Sequence, residues 1–214
     1  MNTDSLVEIL STNVDAVDSR KFVRRLGFIV LLGAVGAILL AISALGIRSD
    51  LATSNAIIFL SIKIAFAGAI AVAGASSLML LARPGNSGKV NPALLATPFV
   101  AIILLAVGNL AGAPSAHWDA MIVGGGWLEC LVSIPVIAIA PFALIVWGVR
   151  RFAATTDLGR TGAIIGLLSG GISAIGYALH CSDDSFPFVA LWYGGTIAFC
   201  MLAGAMLGPR LLRW

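Results

Sequence analysis

Apolar positions in this chain do not alternate as in a strand or recur as one helical stripe; they fill long uninterrupted runs. Leu26 to Ile47 is free of charge and almost wholly apolar. At about 1.5 Å rise per residue, a helix over that run crosses a hydrocarbon core of about 30 Å. Five further runs follow, over residues 56–82, 93–112, 128–149, 161–180 and 187–208. The breaks between them hold turn-forming residues such as Arg83-Pro84-Gly85, Gly112 to Pro114 and Ser182 to Pro187, and polar and Pro/Gly positions end helices. The pattern predicts an all-α polytopic membrane protein: a bundle of six transmembrane helices over residues 26–214, preceded by a cytoplasmic segment, residues 1–25, with a short helix. The first run is too long for the apolar region of a cleaved signal peptide, about 7 to 15 residues, and is expected to stay as a span.

Composition agrees. The 214 residues are 59% hydrophobic and 11% charged, whereas soluble domains carry about 25% charged residues. The net charge of +3 raises the question of a nucleic-acid partner. The basic residues flank apolar runs and form no stripe, so no direct nucleic-acid contact is expected. Their distribution sets orientation instead. Eleven of the 13 Lys and Arg residues lie in the N-terminal segment, the loops after the second and fourth spans, and the C-terminus; Arg48 alone lies in the opposite loops, and Lys63 is inside the second span. By the positive-inside rule both termini are expected to be cytoplasmic. Arg20, Lys21, Arg24 and Arg25 suit anionic membrane lipid. Trp118, Trp127, Trp147 and Trp214 fall near span ends, where indoles prefer to lie.

Gly162, Gly166 and Gly170 recur every four residues in the fifth span, which marks a close-packing face near the bundle centre. Pro135 and Pro141 lie inside the fourth span, where each removes a helical hydrogen bond. Lys63 is the one basic residue well within a span, about 10 Å from its outer end, a depth from which its stem can snorkel toward the headgroups. No span has a central Asp or Glu, which argues against proton-coupled transport. There is no P-loop or other cofactor motif, and no cofactor is expected.

Of three cysteines, Cys130 falls at the outer start of the fourth span and Cys181 just after the fifth, so both face the external compartment; Cys200 lies deep in the sixth and is read as packing. Near the outer pair in sequence are His117, Glu129, His180, Asp183 and Asp184. Two readings stand side by side. The thiols are packed hydrophobes or a structural disulfide, or they are a sensory pair that binds a thiophilic metal, with His180 as a further ligand, or is oxidised. At the other end of the chain, Ser5 and Glu8 match a helix capping box, and Leu6, Leu10, Val14 and Val17 share one face. So short a helix is marginal alone and needs the membrane surface or a groove on a protein.

Three stretches together resemble the NrsF-like family of bacterial membrane anti-sigma factors, negative regulators of sigma F. They are Asp4 to Leu10 before six spans, the block Ala178-Leu179-His180-Cys181 followed by Phe188-Val189-Ala190-Leu191-Trp192-Tyr193, and the ending Leu207-Gly208-Pro209-Arg210-Leu211-Leu212-Arg213-Trp214. Ser182-Asp183-Asp184-Ser185 departs from the Pro and Glu expected after the cysteine. The resemblance implies a cytoplasmic side that sequesters an extracytoplasmic-function sigma factor, with Leu6, Ile9 and Leu10 as the contact, and an external pair, Cys130 and Cys181, that senses heavy-metal or oxidative stress. It implies a regulator and no enzyme. Two other classes compete: a membrane thiol-disulfide oxidoreductase, weakened because neither outer cysteine belongs to a CxxC, and a small metal transporter, weakened by the missing central carboxylates.

Overall fold

The computed structural model describes residues 19–51, 53–81, 90–153, 155 and 157–213. Helices α1 (Ser19–Leu45), α2 (Ser54–Leu81) and α3 (Pro92–Gly112) are followed by a 3-10 turn, Ser115–His117, and the short helix α4, Trp118–Val123. Then come α5 (Trp127–Phe152), α6 (Leu158–Ala178) and α7, Phe186–Leu211, which contains a π-turn over Val189–Tyr193. All but α4 are long and apolar enough to cross a membrane, six in total among the described residues, and no strand occurs among those residues. The six expected spans are present. The third connection differs from expectation: it is not a simple turn, because Pro114 starts a 3-10 turn that runs into α4.

One helix, α6, is surrounded by four of the others. In α6, 89% of the membrane-length stretch is buried, against 11% in α3, where only Ile102 and Ala106 are covered. Lipid tails are as apolar as Leu, so helices in a membrane gain little from burying large apolar side chains and associate where small residues let backbones approach. The α6 sequence supplies those residues on three faces. A Cβ at Gly162 would collide with Gly204 O of α7, and one at Gly166 with Cys200 O. On a second face a Cβ at Gly171 would sit 3.1 Å from Ala67 O of α2, and on a third a Cβ at Gly176 would sit 3.1 Å from Ala41 Cβ of α1. The glycine stripe therefore packs at the bundle centre as expected. Cys200, 8% exposed, is part of the same α6–α7 contact.

Helix α5 closes the bundle against α1, where Gly33 receives Pro141 and Gly148 receives Ile29. It continues through both Pro135 and Pro141. Each proline lacks an N–H, so the carbonyls of Leu131 and Ile137, four residues earlier, lose their helical donors. The core is divided along the bundle axis. One cluster, with Leu26, Leu78, Ile145, Ile165 and Leu212, fills the half nearer the termini; another, with Phe66, Ile134, Tyr177, Phe188 and Tyr193, fills the half nearer the α1–α2 and α6–α7 connections. Cys130 and Cys181 belong to the second.

Candidate functional site

The α6–α7 connection, residues 179–185, is fixed by polar contacts to α2, the α1–α2 connection, α4 and the start of α5. Lys63 starts the arrangement. It is fully buried, and a charged ammonium away from water requires a counter-ion. Its Nζ donates to Asp184 Oδ1 at 2.9 Å and to the Cys181 carbonyl at 3.0 Å. The expected snorkelling is not seen: the ammonium is buried and paired with the α6–α7 connection. Arg48, 7% exposed, comes from the α1–α2 connection and donates Nη1 to the Cys181 carbonyl at 3.1 Å and Nη2 to Asp184 Oδ2 at 2.8 Å. It also holds Asp50 through Nε at 2.6 Å and Nη2 at 2.7 Å, and its backbone N–H donates to Leu179 O at 3.0 Å.

These contacts set the charge states. The hydrogen bonds that Arg48 donates to Asp50 and then to Asp184 hold it in its charged form even more firmly than usual, against some desolvation. Burial raises the Asp184 carboxyl, but the bonds from Arg48 and Lys63 outweigh it, leaving the group below the usual carboxylate range. Asp50 is lowered chiefly by its hydrogen bonds with Arg48.

The neighbouring Asp183 faces the other way. Its two carboxylate oxygens accept the Gly125 and Gly126 N–H groups at 3.0 and 2.7 Å. Gly126 is the N-cap of α5 and has no cap from its own side chain, so a carboxylate from a distant loop satisfies donors at that helix start and complements its dipole. Gly124, with φ of 62°, makes the turn in a conformation side-chain-bearing residues rarely adopt, and a Cβ there would strike Phe188. Ser185 Oγ donates to Met121 O at 2.6 Å and Trp192 Nε1 to Ile122 O at 2.8 Å, fastening α4 to the start of α7.

Cys130 and Cys181 lie beneath this clamp. Cys130 is in the first turn of α5, its N–H bonded to Gly126 O; Cys181 follows α6, its N–H bonded to Tyr177 O. Both thiols are free and buried, at 0% and 4% exposure, and belong to one cluster. The structural disulfide is not formed. Tyr193, at the end of the π-turn, is fully buried with no hydrogen-bond partner at ordinary geometry for its hydroxyl, which stands beside Cys181. A polar pocket of about 260 Å³, lined by Glu129, Tyr177, His180, Cys181 and Asp183, leads to Cys181; Cys130 does not line it.

The residues singled out in the sequence separate into three groups. Cys130 and Cys181 come together. His180 lies over the pocket with Nε2 3.7 Å from Glu129 Oε2, while His117 is exposed on the 3-10 turn. Among the described residues no three His, Cys, Asp or Glu side chains gather as a metal site. Leu6, Ile9 and Leu10 lie outside the described residues. Sequence reading missed the clamp: Arg48 served only as a topology marker and Asp184 only as a neighbour of the cysteines. The available signal was Lys63, since a buried ammonium must find a carboxylate at its own depth.

A family model described as Negative regulator of sigma F matches residues 10–214. The chain belongs to this family. Two relatives match over their full lengths and over all of this chain: the anti-sigma-F factor NrsF of Caulobacter vibrioides at 32% identity, and the probable anti-sigma-F factor NrsF of Azospira oryzae at 28%. No solved structure matches. The family match spans all six long helices, the clamp and both buried thiols, and both relatives are named as regulators.

Proposed function

We propose that this chain is a membrane anti-sigma factor that holds an extracytoplasmic-function sigma factor at the cytoplasmic face of the inner membrane. The observation that carries the reading is the family match over residues 10–214, together with two full-length relatives named as anti-sigma-F factors. The N-terminal segment is the partner-binding element, through Leu6, Ile9 and Leu10, an apolar stripe that needs a groove to cover it. The distribution of Lys and Arg supports cytoplasmic termini.

The signal enters at the opposite end, through Cys130 and Cys181. Two unpaired thiols, one at the start of α5 and the other between α6 and α7, form a soft ligand pair for a thiophilic metal ion or a pair open to oxidation. The Cys181 carbonyl is held by Lys63 and Arg48, so movement of the thiol strains contacts to α2 and to the α1–α2 connection. By linkage, the signal releases the partner only if it binds or modifies the partner-free conformation more strongly. A coupling of about 1 to 3 kcal/mol changes affinity by about 5- to 150-fold. Lys63 is held in an ion pair with Asp184, which lends no support to the transporter alternative.

The test is copurification from gently solubilised membranes, with the native chain, a Leu6→Asp/Leu10→Asp variant and a Cys130→Ser/Cys181→Ser variant, with and without cadmium. A sigma factor should come down with the native chain, be lost with the tail variant, and be released by cadmium only when both cysteines are present. Failure to recover a sigma factor from any sample overturns the anti-sigma reading. Release by cadmium from the Cys130→Ser/Cys181→Ser variant removes the sensory half alone.

A further inference from the structure

A second feature lies on the far side of α6 from α2. Helix α7 is drawn tightly onto α6 by the Gly162, Gly166 and Gly204 contacts, while α5 leans toward α1 through Gly33 and Pro141. Between α5 and α7 this leaves a groove of about 800 Å³, with Ile139 and Phe142 on one wall, Phe199 and Leu207 on the other, and Gly166 and Ser169 as its floor. Ser169 contributes little polarity, because its hydroxyl donates back to Ile165 O. The groove is apolar along its length except at one end, where Arg150 and Arg151 line it and are exposed.

We propose that this groove is a binding site for a single anionic phospholipid, its acyl chains along the α5–α7 walls and its phosphate at Arg150 and Arg151. Dimensions fit. From Pro135 to Arg151 α5 rises about 24 Å, close to the depth of one leaflet with its headgroups, about 20 to 22 Å. An apolar cleft of this size facing lipid loses dispersion contacts unless something fills it, and any acyl chain supplies them. The arginine pair supplies selectivity: two guanidiniums at headgroup level favour a phosphate with no ammonium beside it. Exposed Trp147 on the same rim suits the interface. Charge argues against a second copy as the occupant, because a twofold pairing of this face about the membrane normal brings both arginine pairs to the same end, where they repel. The site rests on the membrane-spanning reading and is independent of the identity of the partner.

Native mass spectrometry of the full chain in mild detergent, titrated with phosphatidylglycerol and with phosphatidylcholine of the same acyl chains, tests the proposal. The first phosphatidylglycerol adduct should form about 30-fold more tightly than the first phosphatidylcholine adduct, the factor corresponding to about 1 kcal/mol for each arginine. Arg150→Gln/Arg151→Gln should bring the two lipids within about twofold of each other. Ala143→Phe/Ala203→Phe, which fills the groove and leaves the arginines, should abolish the tight first phosphatidylglycerol adduct. Thermal melting checks the fold of this last variant, and the arginine variant changes only exposed side chains. Equal binding of both lipids by the native chain overturns the proposal, as does a preference that survives loss of the arginines or a dimer dissolved by filling the groove. Orientation has no role in detergent, so a sigma factor recovered with a protein lacking lipid preference removes the groove and leaves the anti-sigma reading standing.

Discussion

The two ends of the bundle treat charge in opposite ways. At the end carrying the α1–α2 and α6–α7 connections, Arg48, Lys63, Asp50 and Asp184 bond to one another and to the Cys181 carbonyl, with both cations nearly withdrawn from solvent. At the end carrying the termini, Arg24, Arg25, Arg150, Arg151, Arg210 and Arg213 are exposed, and the ion pair there among the described residues is the local Arg160–Asp157 contact at 3.4 Å. A buried ionic contact tolerates little change of geometry, because a displaced partner leaves a desolvated charge. A solvated arginine keeps its interactions as its surroundings move. The first arrangement suits holding two thiols in a defined relation; the second suits meeting headgroups or a partner whose position varies.

Removal of Asp184 should have the largest effect. Asp184→Ala leaves Lys63 with only the Cys181 carbonyl and deprives Arg48 of one of its two carboxylates. Uncompensated buried charge costs about 3 to 5 kcal/mol, which thermal melting in detergent should register as a large fall in Tm. The same variant should speed alkylation of Cys181 by a water-soluble reagent. An unchanged Tm means that the clamp is not tight in solution. Asp183→Ala comes next. It removes two charge-assisted acceptors from the start of α5, a loss of about 1.5 to 3 kcal/mol. Its distinguishing readout is hydrogen exchange: the amides of Gly125 and Gly126 should lose protection while those of α6 keep theirs.

These two carboxylates also mark where sequence reading stops. Long apolar runs are legible because spanning a bilayer forces every backbone group into a helix, and the α6 glycine stripe is legible because only small residues allow its contacts. Cys130 and Cys181 could be placed at one end because topology alone puts them there. Asp183 and Asp184 are adjacent in sequence and share a side-chain chemistry, yet one caps α5 and the other neutralises Lys63. Which does which depends on the path of the seven-residue α6–α7 connection through space, and no periodicity encodes it. The groove between α5 and α7 is similarly silent, since it arises from how two helix pairs lean.

Acid should weaken the clamp end selectively. The Asp184 and Asp50 carboxyls are depressed in the folded protein relative to 3.8. Their contribution to stability is therefore complete above that value and is lost as the pH falls through the lower folded values. Tm should be flat from pH 7 to about pH 5 and fall below about pH 4. Because a protonated Asp184 still accepts through one oxygen, the fall should be smaller than that of Asp184→Ala. In Asp184→Asn the acid limb should be shallower. A limb of equal steepness in that variant assigns the acid sensitivity to carboxylates elsewhere.

The smallest effect is expected at the opposite end, and it decides whether the contrast is real. Arg160 is 77% exposed and its contact with Asp157 spans 3.4 Å within one helical turn. Coulomb attraction there is screened by water and salt, and ordering two flexible side chains offsets much of it. Asp157 has a separate task, since its Oδ1 accepts the Arg160 backbone N–H at 3.0 Å as the N-cap of α6, and that bond does not involve the arginine side chain. Arg160→Ala should therefore change stability by no more than about 0.5 kcal/mol, with no dependence on salt beyond that of the native chain. Asp157→Ala should cost about 1 kcal/mol through the lost cap. If Arg160→Ala instead matches Asp157→Ala, the side-chain ion pair is tighter than its exposure implies, and the two ends differ in degree and not in kind.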